Sequence, residues 1–305
     1  MRSLAAFVMR GRSAAALVAA TAAVLFWLFP PFLIVATAVV ALVALRRGAA
    51  EGASIALLAG LAAAGLTWLT LGEPWPMLRV LALCWLPLWL LALVLRATVS
   101  LARSLQVAAL LGLLGVAGFY LALGDPAVWW GALLVKLRQE LAAVTALGQA
   151  ADRAALDQLL ALFEGWAPYL PGQVVGATLL LVVLALLLGR WWQASLFNPG
   201  GFRPEFQELR LGRPLAALTL ALFGGAMLSG WPPLTNAALV LGTLYTVQGI
   251  ALIHAALFKL QLSPAWLLLF YLLLIPLLSQ VVMALGVADA WADIRNRIRP
   301  RPGKR

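Results

Sequence analysis

Seven stretches of this chain contain no Asp, Glu, Lys or Arg: 13–45, 52–72, 80–95, 104–124, 165–189, 214–258 and 260–288. A helix needs about 20 apolar residues to cross the hydrocarbon core of a bilayer, and most of these runs reach or exceed that length. The bilayer therefore dictates the fold. Pro30-Pro31 divides the first run and Trp231-Pro232-Pro233 the sixth, because proline breaks the helical hydrogen-bond ladder and disfavours helix before it. Nine hydrophobic segments result. The expected fold is all-α: a polytopic integral membrane helical bundle of about eight transmembrane helices, range 8–9, forming a single integral membrane domain over 1–305. Charged residues make up only 11% of the chain, against about 25% in soluble domains, which excludes a water-soluble enzyme.

Orientation follows from the basic residues, which favour the cytoplasmic side of short loops. Net side-chain charge is +3 before the first segment, +1 over 46–51, +2 over 96–103 and +2 over 190–213, and zero or negative in the connections between them. The alternation places the N-terminus in the cytoplasm of a bacterial cell, with the chain in the inner membrane. Arg2, Arg10 and Arg12 followed by an apolar run imitate a signal peptide, but the run ends in Phe29-Pro30-Pro31-Phe32 and reads as a retained first helix. The tail 289–305 has a net charge of +4, so it also belongs in the cytoplasm, and one hydrophobic segment must then fail to cross. Segment 214–230, with Gly224-Gly225 and a proline pair behind it, is expected to be re-entrant, which leaves Lys259 outside. The tail is expected to bind anionic lipid headgroups. Nucleic-acid contact, the usual reading of a chain with a net charge of +11, is disfavoured.

Residues 126–168 form an extracytoplasmic amphipathic helical segment. Leu134, Leu137, Leu141 and Val144 make one apolar stripe, Leu156, Leu159, Leu160 and Phe163 another, with a break around Gly148–Asp152. The pair rests on the outer interface, or acts as a lid or docking surface.

Catalytic chemistry needs convergent titratable groups, and these are scarce. One histidine excludes a two-histidine zinc helix, Cys84 alone excludes a disulfide framework, and no phosphate-binding loop or nucleophile elbow occurs. No catalytic residue, metal or cofactor is expected. Polar groups at membrane depth are costly and tend to face the protein interior. On the helix 236–258, Asn236, Thr243, Thr246 and His254 share one sector at about 100° per residue. That face either lines a cavity for a small-molecule ligand or supplies interhelical hydrogen bonds, with His254 the member whose charge responds to pH. The cytoplasmic loop 190–213 carries Phe197-Asn198-Pro199-Gly200-Gly201-Phe202-Arg203-Pro204-Glu205-Phe206. Asn-Pro and Gly-Gly mark tight turns. Phe197, Asn198, Phe202 and Phe206 also make a candidate docking surface for an energising or cytoplasmic protein partner.

The run Phe197–Arg203, the stretch Gln248-Gly249 to His254, and the ending Gly286-Val287-Ala288-Asp289-Ala290-Trp291-Ala292-Asp293-Ile294-Arg295 resemble the YybS-like predicted bacterial membrane proteins. That family is of unknown function and is distantly similar to the substrate-binding membrane subunits of energy-coupling-factor vitamin transporters. The resemblance implies a transporter-like, small-molecule-binding membrane subunit without its own ATPase. It brings no assigned binding residues. The other reading is a non-transporting structural, assembly or partner-docking protein.

Overall fold

The computed structural model of the chain describes residues 1–145 and 150–298. These residues build fifteen α-helices and no strand. They are α1 (Arg2–Val8), α2 (Arg12–Leu25), α3 (Phe32–Arg47), α4 (Ala49–Leu71), α5 (Trp75–Thr98), α6 (Leu101–Leu123), α7 (Pro126–Thr145) and α8 (Ala150–Trp166). The order continues with α9 (Leu170–Phe197), α10 (Phe202–Gln207), α11 (Arg213–Ser229), α12 (Pro232–Lys259), α13 (Ala265–Leu273), α14 (Ser279–Ala292) and α15 (Ile294–Arg297). The tail residues Arg299, Arg301, Lys304 and Arg305 lie outside the described residues, as does Gly148 at the expected break between α7 and α8.

Among the described residues, five helical stretches are long and apolar enough to cross a membrane: Ala49–Leu71, Trp75–Thr98, Leu101–Leu123, Asp157–Phe197 and Pro232–Lys259. The other four hydrophobic segments are shorter or broken. The helix α2 has 14 residues and α11 has 17, about 21 and 26 Å at 1.5 Å per residue. The helix α3 has 16. The stretch 260–288 is interrupted by a five-residue π-helical turn, Leu274–Leu278, that contains Pro276. A proline withholds one donor from the ladder, and a π turn is the usual local adjustment.

The described residues group into two compact units, one of 1–111, 178–217 and 242–298, the other of 112–145, 150–177 and 218–241. In the first unit, α3 is its most enclosed helix: every side chain from Ala36 to Leu45 is buried. Small residues make the close packing possible. Gly189 of α9 lies where a Cβ would meet Ala41 and the Ala38 carbonyl, and Gly52 of α4 lies against Ala44. Trp85 of α5 donates its indole N–H to Thr37 Oγ1 at 3.1 Å, satisfying two polar groups inside this apolar core.

The basic ends of this unit meet one another. Arg12 pairs with Glu51 at 2.5 Å, Arg47 donates to the Met9 carbonyl at 2.7 Å, and Arg96 donates to the Ala44 carbonyl at 3.3 Å. Arg190 pairs with Glu205 at 2.8 Å, and the Arg46 guanidinium lies 4.2 Å from the centre of the Phe197 ring. Lys259 joins this set. Its ammonium donates to the Arg295 carbonyl at 2.6 Å, and the neighbouring Phe258 ring carries Arg203 at 5.2 Å. The expectation that Lys259 lies across the membrane from the tail is therefore corrected. Because the chain leaves Lys259 and comes back to it at Arg295, the intervening 260–292 is not one straight crossing. Gln261, at φ 53° between α12 and α13, and Asp293, at φ 47° after α14, mark turns at the two ends of that stretch, and the π turn at Pro276 interrupts the helix between them.

The second unit holds α7 and α8, which pair antiparallel. Trp130 donates to the Phe163 carbonyl at 2.7 Å, and Arg138 faces Asp157 at 3.2 Å. Leu134 and Leu160 are buried at the matching level, while Leu137, Leu159 and Phe163 remain exposed. The side chains of Val144 and Leu156 lie outside the described residues.

Candidate functional site

The site begins with a stretch of backbone that has no helix of its own. Between α10 and α11, Leu209 to Gly212 run without regular structure, yet Leu209 and Leu211 are 2% and 1% exposed. Irregular backbone in an apolar protein interior is tolerated only when its N–H and C=O groups find partners. Side chains from three other helices provide them. Gln248 of α12 accepts from the Leu211 N–H at 2.7 Å, and Gln106 of α6 donates to the Leu211 carbonyl at 2.9 Å. Tyr245 donates to the Gly212 carbonyl at 3.2 Å. Arg295 donates to the carbonyls of Gln207 and, at 3.0 Å, Leu209.

Two of these side chains are anchored in turn. Gln248 donates its amide to the Gly286 carbonyl of α14 at 2.7 Å, so one buried side chain joins the loop, α12 and α14. Arg295 pairs with Asp289 at 2.8 Å, with the two side chains 4% and 0% exposed. The helices α12 and α14 touch at glycines. A Cβ on Gly249 would collide with the Val282 carbonyl, and one on Gly286 with the Tyr245 carbonyl. The glycines let the two backbones approach closely, and that approach brings Gly286 within reach of Gln248. The three sequence runs that carry the family resemblance thus belong to one contact region, formed by the end of α9 and its loop, α12, and α14.

A cleft of about 620 Å³ opens beside this knot. Leu184, Leu187, Leu188 and Trp191 of α9 form one wall, and Val247, Ile250 and His254 of α12 another. Phe202, Arg203, Phe206 and Gln207 of α10 and Tyr271 of α13 complete it. Its aromatic edge is continuous. Phe202 and Phe206 stack at 5.8 Å with 11° between planes, Phe206 meets the His254 ring edge-on at 5.6 Å, and His254 meets Tyr271 at 5.9 Å. The His254 Nε2 and the Tyr271 hydroxyl lie 2.7 Å apart. Gln207 donates to the His254 carbonyl at 3.2 Å, which ties α10 to this turn of α12.

Of the sequence-predicted site residues, the cleft gathers His254, Phe202 and Phe206. The other five lie elsewhere. Asn236 belongs to the second unit, where it is fully buried: its Oδ1 accepts from the Gly172 N–H at 2.7 Å, and its Nδ2 faces Tyr120 Oη, Pro168 O and Pro232 O within 2.9 Å. Thr246 returns its hydroxyl to the Gly242 carbonyl one turn back at 3.0 Å. Thr243 is half-buried and outside the cleft lining. Phe197 is 46% exposed against Arg46. Asn198 accepts from Gly201 at 3.1 Å, closing the turn in which Gly200 takes φ +88°. The stripe from 236 to 254 spans 18 residues, about 27 Å of helix, and one cleft samples only one end of it.

Tyr271, Arg203, Gln207 and Trp191 were not legible as site residues, and only the charge on Arg203 in the aromatic loop gave a signal. Among the described residues, no group of three or more His, Cys, Asp or Glu side chains is placed to hold a metal ion.

A family model of predicted membrane proteins, DUF2232, matches residues 16–290. The chain belongs to that family. The match spans α2 to α14 and so covers the loop, both glycine contacts and the whole cleft. Comparison with curated proteins and with solved structures finds no match.

Proposed function

We propose that this DUF2232 chain is a small-molecule-binding subunit of the bacterial inner membrane, transporter-like and without its own ATPase, with the His254 cleft as its ligand site. The observation that carries the reading is the cleft itself: about 620 Å³, apolar along much of two walls, with His254, Tyr271, Arg203, Gln207 and Ser195 among its few polar groups. Ligand sites are characteristically of that size and that composition. The YybS-like resemblance and the distant similarity to energy-coupling-factor substrate-binding subunits agree with it. Energy would come from a separate chain, and we assign this one no catalytic step.

The topology we propose has about eight crossings with both termini cytoplasmic. Support comes from the basic ends that meet in one unit, from Arg12 and Arg47 through Arg190 to Lys259 and Arg295. In this reading 260–288 turns back, and 214–230 crosses as the partner of α12.

The binding reading is tested by thermal unfolding of purified protein against a small-molecule set in which dodecanoate, dodecyl phosphate and dodecanol are included. Stabilisation by any one compound that is lost in His254→Ala supports it. Equal stabilisation of wild type and variant contradicts it. A partner-docking role is favoured by the exposed Phe197 and Arg46 pair at the loop's outer edge. Its test is co-purification of a partner that Phe197→Ala releases and His254→Ala does not.

A further inference from the structure

We infer that the cleft takes an anionic amphiphile, a single carboxylate or phosphate head on an apolar body, with the head held by Arg203. This deepens the binding reading above and rests on it.

The cleft is polarised along its length. On α9 the lining residues Leu184, Leu187 and Leu188 precede Trp191 and Ser195, and on α12 Val247 and Ile250 precede His254. Both helices therefore present hydrocarbon first and polar groups toward the loop that carries Phe202 and Arg203. From Leu184 to Trp191 is seven residues, about 10 Å of helix, enough to cover a chain of several methylenes. A ligand polar throughout would leave these leucines facing it, and one apolar throughout would strand Arg203, Gln207 and the His254–Tyr271 pair.

The charge at the polar end is of one sign. Arg203 lines the cleft and, among the described residues, makes no ion pair; its recorded contact is with the Phe258 ring at 5.2 Å. No Asp or Glu lines the cleft. Glu205, two residues on, is held by Arg190, whose Nε and Nη2 reach its Oε2 at 2.9 and 2.8 Å. A guanidinium presents a planar fork of donors that matches carboxylate and phosphate oxygens, and such charge-assisted bonds are the strong ones. The neighbouring His254–Tyr271 pair, 2.7 Å apart, adds hydrogen-bonding capacity beside that charge. A carboxylate or phosphate head on a hydrocarbon chain matches both ends.

The test uses two brominated chains that differ only in the head, 12-bromododecanoate and 12-bromododecanol, since bromine quenches indole fluorescence at short range. The signal is the part of the quenching that disappears in Trp191→Phe, because Trp191 lines the cleft. The expected result is saturable quenching, with the carboxylate half-saturating at a concentration at least tenfold below the alcohol. Arg203→Gln should bring the two heads together and Arg203→Lys should restore most of the difference. Arg203 is exposed, so its unfolding temperature should not move with either change. Equal response to the two heads, or a difference that survives Arg203→Gln, overturns the anionic head and leaves the binding reading standing. No saturable Trp191 signal with either chain overturns both. The source of the ligand is read in phosphatidylcholine nanodiscs doped with phosphatidylglycerol brominated on its acyl chains. Saturable Trp191 quenching there assigns the head to a bilayer lipid, and its absence beside a positive carboxylate result assigns it to a diffusible amphiphile.

Discussion

Six residues apart on α12, Gln248 and His254 sit in opposite surroundings. Gln248 is fully buried, with its amide oxygen on the Leu211 N–H and its amide nitrogen on the Gly286 carbonyl. His254 is half-buried, its ring set edge-on to Phe206 and within 2.7 Å of a tyrosine hydroxyl at the lip of a cleft. Both are polar residues on an apolar helix. One satisfies backbone that the fold itself leaves bare, and the other faces open space. The difference teaches that a polar side chain in a membrane helix marks a ligand site only when the protein's own backbone has not already claimed it.

Substitutions at four positions, with Gly118→Ala as a control, break or sharpen that contrast. The largest effect is expected at the clip beside Gln248. Arg295→Ala strips the partner from Asp289 and from the carbonyls of Gln207 and Leu209, and uncovering one member of a buried ion pair costs about 3–5 kcal/mol. Denaturant unfolding should show most of the loss, with Arg295→Lys recovering only part of it because an ammonium cannot span all three acceptors. Next is Gly286→Ala, which forces α14 away from the Tyr245 carbonyl; overpacking at such a contact costs about 1–3 kcal/mol. Gly118→Ala, where a Cβ meets nothing within 4 Å, should cost nothing in the same assay and gain up to about 0.5–1 kcal/mol, since glycine in a helix interior is that much less favourable than alanine. Gln248→Leu leaves the Leu211 N–H unpaired, which costs about 1–3 kcal/mol when buried, and removes the second partner of the Gly286 carbonyl, with partial relief as the loop shifts. The smallest effect concerns Asp293, whose carboxyl is held below the usual range first by the Asn296 side-chain amide and then by Arg210, at 2.5 Å. A depressed carboxyl stabilises the fold above its unfolded value, near pH 4, and that contribution fades as pH falls through the lower folded value. Wild type should therefore unfold slightly later than Asp293→Asn at pH 7, and the gap should close as pH drops below 4.

The sequence made the helices plain because charge-free runs admit no other structure in a bilayer, and the basic connections foretold which ends meet. It erred at Lys259, which the re-entrant reading of 214–230 left outside, when 260–292 is the stretch that bends and returns. Helical periodicity placed Asn236 and His254 on one stripe but carried no information about how much of the stripe one cavity reaches. Tyr245 and Gln248 lie off that stripe. They point at Leu211 and Gly212, a stretch whose need for partners is invisible until its burial is known. Tyr271 gave no signal at all, since it reaches His254 only through the turn between α12 and α13, where Gln261 takes φ 53°. Phe202 and Phe206 were legible by composition, though as an exposed docking surface; they turn inward because stacking at 5.8 Å and the His254 ring give them a wall to join.

The division of labour along α12 is tested most directly by following unfolding temperature and Trp191 quenching together in Gln248→Leu and His254→Ala, with 12-bromododecanoate as the quencher. The account predicts that Gln248→Leu lowers the unfolding temperature by several degrees while the folded fraction still binds, and that His254→Ala leaves the unfolding temperature in place while weakening the quenching severalfold. A stable, non-binding Gln248→Leu, or a destabilised His254→Ala that binds normally, would contradict it.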